Sequence, residues 1–176
     1  MRIQKNVDIF KNSESFKNVE KDLAYIASKC IQDEKLLKYL SLQENREDEL
    51  TEKEKKEIMK ECFRIVPKVT SINETDWSYI VVNFDNFVAN AENSEYRDKL
   101  LVFDIICNFD TWDMEDFRLR PYQIAGRLDV LFDKKSLCGT YSINFLSANN
   151  LIVDDEIAGL TLIYGVTFGE TADKVD

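Results

Sequence analysis

The sequence predicts an α+β fold, a mixed or antiparallel sheet with one helix packed across it and further helices at the N-terminus. Three observations predict it. Residues 120–133, RPYQIAGRLDVLFD, place Pro121 where a first helical residue needs no hydrogen-bond donor, and set Ile124, Ala125, Leu128, Leu131 and Phe132 on one helix face. Residues 99–110 before them alternate as a long strand, and residues 139–168 after them read as a hairpin. An amphipathic helix between two groups of strands finds its cover in a sheet built from both.

Taken in order, residues 1–14 are polar without a clear period and are expected to be a loose lead-in. From Ser15 the pattern turns helical, with Val19, Leu23, Ile26, Ala27, Cys30 and Ile31 on one face. Asp33 is placed to cap a second helix striped by Leu36, Leu37 and Leu40. The charged run over residues 43–61 contains Thr51 and Glu54 at capping-box spacing, which predicts a helix over 52–60 with a solvated charged face. Residues 64–69 leave it through Pro67, as a strand end or extended linker.

Residues 78–85 have Tyr79 and Val81 on one side and Ile80, Val82 and Phe84 on the other, a strand covered on both faces. The Asn-rich residues 86–95 are expected to be a loop. Residues 99–110 put Leu101, Phe103, Ile105, Cys107 and Phe109 on a core face. Their second face is partly apolar and calls for cover beyond the chain's own helix, such as a neighbouring subunit. Residues 134–136 turn the chain, and residues 139–148 form a strand with Tyr141, Ile143 and Phe145 on one face. A turn is expected at Asn149 and Asn150, a bend or bulge near 155–159, and a last strand over 160–168. The expected organisation is a helical segment over 1–63, an α/β core over 64–168 and a flexible tail over 169–176.

A hydrophobic fraction of 44% is enough to fill a core, so a folded chain is expected. The net charge of −10 argues against tight nucleic-acid binding, which needs cations to neutralise phosphates, but suits a surface past which DNA slides without sticking. No stretch reads as a leader or approaches the roughly 18 apolar residues of a spanning helix, so a cytoplasmic protein without a membrane partner is expected. Cys30, Cys62, Cys107 and Cys138 are widely spaced and read as small buried apolar residues.

Histidine is absent, which removes the commonest general base, the usual partner of a Ser or Cys nucleophile and the commonest transition-metal ligand. Asp110, Asp113, Glu115 and Asp116 invite comparison with an oxygen-ligand metal site, but lack the EF-hand pattern and come from one loop. Ser142 and Ser147 lack a nucleophile-elbow setting, and there is no phosphate-cradling glycine loop. The expectation is a protein without catalytic residues, metal or cofactor. Trp77, Trp112, Met114 and Phe117 are the candidate subunit-interface residues. The last three lie in the acidic and aromatic loop 111–117, where they serve either local packing or a contact patch.

In residues 79–84 and 99–109, in RPYQIAGRLDVLF, in residues 139–145 and in GLTLIYGV, the chain resembles the small neck proteins of tailed bacteriophages, most of all the tail-terminator or tail-completion family. The likeness spans roughly residues 64–168. It implies an α/β protomer that assembles into a homo-oligomeric ring, commonly hexameric, at the head–tail interface. Such a ring caps the tail and leaves a channel for DNA that is not specifically bound. Head-completion and tail-tube proteins are the implied neighbours, and the virion is the implied location after assembly in the host cytoplasm. A head-completion protein or other neck ring adaptor is the alternative within the same class. A cytoplasmic protein-binding module docking through residues 15–61 is the alternative outside it.

Overall fold

The structure, a computed structural model, describes residues 14–65, 77–89, 96–137 and 140–169. Helix α1 (Glu14–Gln32) runs into α2 (Glu34–Leu40), whose N-terminus is capped by the Asp33 carboxylate accepting from the Leu36 N–H at 2.9 Å. Helix α3 (Glu52–Cys62) opens with the expected capping box. The Glu54 N–H donates to Thr51 Oγ1 at 3.3 Å, and the Thr51 N–H donates to the Glu54 carboxylate at 2.8 Å.

The chain then enters a five-stranded sheet of order β1-β2-β3-β5-β4. The short β1 (Phe63–Arg64) lies parallel to β2 (Tyr79–Ala89). The long strands β3 (Tyr96–Asn108), β5 (Ile157–Gly169) and β4 (Thr140–Ile152) follow in antiparallel pairs, so the sheet is mixed as expected. Between β3 and β4 come two 3-10 turns, Phe109–Thr111 and Glu115–Phe117, and then α4 (Arg120–Phe132).

All four helices pack on one face of the sheet. Ile124, Leu128 and Phe132 of α4 are buried there, and Phe132 stacks on Phe103 of β3 with ring centroids 5.2 Å apart. Phe103 also meets Tyr164 of β5 edge-on at 6.0 Å. The same core takes in Ile26 of α1, Leu37 of α2 and Ile58 of α3. Burying each such side chain stabilises by about 1.5–3 kcal/mol, so the covered face is where the fold is anchored. Gly159 permits the tightest strand approach: a Cβ there would lie 1.7 Å from the Ile105 carbonyl oxygen.

Several expectations shift. Strand β2 continues through Asn86 to Ala89 instead of giving way to a loop after Asp85, because Asn86 takes a positive φ of 53° and the ladder absorbs it as a bulge between Asp85 and Val88. Asn149 and Asn150 are not at a turn. They sit within β4 opposite Thr161 and Leu160, where an edge strand leaves their side chains in water. The reversal comes at residues 153–156, closed by Asp154 Oδ1 accepting from the Glu156 and Ile157 N–H groups at 2.9 and 2.8 Å. The bend expected near 155–159 is this reversal, and the bulges of the β4–β5 pair lie in β4, at Thr140/Ser142 and Phe145/Ser147.

Phe109 was expected on the core face but stands 45% exposed, because β3 ends at Asn108 and the chain swings into a 3-10 turn. Pro67, Cys138, Gly139, residues 1–13, residues 90–95 and the tail beyond Gly169 lie outside the described residues. Cys30, Cys62 and Cys107 are buried free thiols.

Candidate assembly surface

The loop between β3 and α4 is the most strained stretch described. Asp116 and Phe117 both adopt left-handed backbone angles, with φ of 62° and 58°, a conformation costly for residues with a side chain. The loop is held from both ends. The Met114 N–H donates to the Arg118 carbonyl at 2.9 Å, the Arg120 N–H to the Trp112 carbonyl at 2.8 Å, and Asp113 and Leu119 form an isolated bridge. Beneath it the buried Arg120 guanidinium donates to the Thr111 carbonyl at 2.7 Å, the Tyr39 carbonyl at 3.0 Å and the Glu44 carboxylate at 2.5 and 2.8 Å. This arginine ties α2 and the start of the loop to α4, and at the loop tip the Phe117 ring projects fully into solvent.

Of the four interface candidates, Trp77, Trp112 and Met114 are partly buried and pack against the core, and Phe117 is fully exposed. The Trp112 ring also leans on Phe109 at 5.1 Å. Among the described residues, no three carboxylates or thiols converge as a metal site, the 110–116 cluster included.

A second feature lies along the other side of α4, against the free edge of the sheet. Ala125 and Gly126 leave space there, and Asp129 and Asp133 stand farther along the same helix. Phe145, Ala148, Leu162 and Tyr164 line the sheet side of an open, mostly apolar groove of about 280 Å³. Its acidic residues are fixed in place: Asp129 accepts from the Tyr164 hydroxyl at 3.2 Å, and Asp133 accepts from the Phe145 N–H at 2.9 Å. Burial and the neighbouring Asp129 carboxylate push the Tyr164 hydroxyl well above its usual pKa, so it stays a donor. Nothing in the sequence reading pointed to this groove. Its signal was the small pair Ala125 and Gly126 inside an otherwise bulky helix.

The third feature is the sheet face opposite the helices. Among the described residues nothing covers it. Val102 and Ile163 pair across β3 and β5, Leu100 pairs with Gly165, and Leu146 from the β4 bulge lies over Gly165. These side chains form an apolar patch that keeps part of its area in water. Next to it, the Thr161 hydroxyl donates to Asp104 at 2.5 Å, and beyond that Val81, Ile106 and Ile157 make a small closed cluster. The edges are open as well. Among the described residues no strand pairs with the outer side of β4, or with β2 beyond Val81 on the β1 side.

The buried charges serve packing. Asp22 of α1 and Lys99 of β3, 0% and 2% exposed, form an ion pair at 3.1 Å, with the ammonium 3.5 Å from the centre of the Phe84 ring. Desolvation raises the Asp22 pKa and lowers that of Lys99 to about 8. Arg127 of α4 donates to Asp33 at 3.1 Å, so the residue that caps α2 also pins it to α4. Burial pushes the thiols of Cys62 and Cys107 up to about 12 and about 11, which keeps them protonated and unreactive.

A comparison with curated proteins gives no match. Among solved structures, the chain is similar to one chain of the "Virion of native gene transfer agent (GTA) particle", at 14% identity and a TM-score of 0.44, covering 62% of this chain and 78% of that one. The YomW family model matches residues 33–166, from the cap of α2 into β5. The chain belongs to the YomW family, a phage-derived family.

Proposed function

We propose that the protein is a structural component of a tailed-phage particle, a ring-forming protein of the head–tail interface that closes the tail and leaves a channel for DNA. Membership of a phage-derived family supports the particle. The observation that carries the structural role is the one-sided sheet. Among the described residues its helices all lie on one face, while the other presents Leu100, Val102, Leu146 and Ile163 partly to solvent between two open edges. Exposed apolar surface flanked by unpaired strand edges is characteristic of a surface that another chain covers. In a ring each subunit uses two different patches, so more than one exposed surface is expected on each copy. The acidic balance of −10 lets DNA pass without being held.

In this reading the protein works without catalysis, metal or cofactor. It assembles in the host cytoplasm and ends in the neck of the virion, against head-completion and tail-tube proteins. A phage carrying a null allele tests this: heads and tails are expected to accumulate unjoined, with the tails left uncapped. Intact, infectious particles from the null allele would overturn the proposal.

A further inference from the structure

We propose that copies of this chain join head to tail through Phe117, which inserts as a knob into the α4/β4 groove of the next copy. The proposal rests on the ring reading above and specifies its contact. The knob is a fully exposed phenylalanine on a backbone strained at two consecutive residues, in a loop tip closed by the Met114 N–H donating to the Arg118 carbonyl at 2.9 Å. A rigid aromatic anchor loses little freedom on docking and is the kind of residue that dominates an interface. The groove of about 280 Å³ is walled by Ala125, Gly126, Ala148 and Leu162, large enough for a phenyl ring and mostly apolar.

Charge matches on both sides of the ring. Arg118 follows the knob, and the groove carries Asp129 and Asp133. Glu115 and Asp116 precede the knob, and the exposed Lys134 and Lys135 follow Asp133 at the end of α4. Arg118 of one copy thus faces Asp129 and Asp133 of the next, and Lys134 and Lys135 face Glu115 and Asp116, which favours one orientation. The two patches are also separate. Phe117 stands before the first turn of α4, and the groove runs along its flank to the opposite end, so one copy can give its knob and receive another at once.

The test uses the full-length chain with Phe117→Asp and Gly126→Phe, measured by sedimentation velocity and light scattering. Both sites are exposed, and a Cβ at Gly126 meets nothing within 4 Å, so both variants keep the fold. The wild type is expected to assemble, and each variant alone to lose association by roughly tenfold or more. Mixed in equal amounts, the variants are expected to give a species of twice the 20.5 kDa chain mass and nothing larger, because one intact knob still meets one intact groove. Variants that assemble like the wild type would overturn the contact and leave the ring reading standing. Single variants that stay monomeric when mixed would also overturn it. A wild type that never assembles would overturn the ring reading and the contact with it.

Discussion

On β3, Leu101, Phe103 and Ile105 point into the helix-covered face and are fully buried, whereas Leu100 and Val102, one residue away, stand on the open face and keep part of their surface in water. The same strand therefore supplies two surfaces of different kinds. The covered face is closed by four helices and tied by ion pairs between distant segments, Asp22 to Lys99, Glu44 to Arg120 and Asp33 to Arg127. On the open face the Thr161 hydroxyl donates to Asp104 across β3 and β5, with an apolar patch beside it. The difference separates apolar residues that serve folding from apolar residues of the same strand that stay partly in water.

Truncation should separate the faces most sharply. Phe103→Ala removes a ring that packs on both Phe132 and Tyr164, and is expected to cost about 3–5 kcal/mol in urea unfolding. Val102→Ala, next to it on the open face, is expected to cost about 1 kcal/mol or less. Equal losses would mean that the open face is closed in the isolated chain.

The buried pair sharpens the comparison from the polar side. Lys99→Met alone strands the Asp22 carboxylate beneath α1 and is expected to cost about 3 kcal/mol. Asp22→Leu combined with Lys99→Met is expected to recover that loss, because two apolar groups need no compensation for lost water. Thermal unfolding of the single and double variants reads both.

The pH dependence follows from the same lysine. Its folded pKa lies near 8 against an ordinary 10.5, so between those values the unfolded chain holds a proton that the folded chain lacks, and raising the pH stabilises the fold. Above pH 9 the buried thiols act in the opposite direction, since Cys107 stays protonated to about 11 when folded but ionises from 9.0 when unfolded. The window is therefore pH 8 to 9, where the wild type is expected to gain roughly 1 kcal/mol relative to Lys99→Met. The smallest effect on stability is expected from Val102→Lys, within about 0.5 kcal/mol. Assembly of that variant with its neighbours in the particle should nevertheless fail.

Strand alternation, the 120–132 helix and both N-caps were legible because each is local: Pro121, Asp33 and the Thr51–Glu54 pair act on backbone a few residues away. The turn expected at Asn149 and Asn150 failed because asparagine suits an exposed edge strand as well as a turn, and only the pairing with Thr161 and Leu160 decides between them. The burial of Lys99 and Arg120 was not legible, since their carboxylate partners lie 77 and 76 residues away in sequence. Phe117 was legible as a residue for local packing or for a contact patch, but its positive φ and that of Asp116 were not, because neither residue type demands that conformation. The groove was invisible as well: α4 and β4 form it only when the sheet order places β4 beyond β5.

The most direct test of the central claim is the mass of the purified full-length chain from low to high concentration, followed by electron microscopy of the largest species. The account expects a discrete multiple of 20.5 kDa that appears as a closed ring with a central opening. A single 20.5 kDa species at every concentration would contradict it.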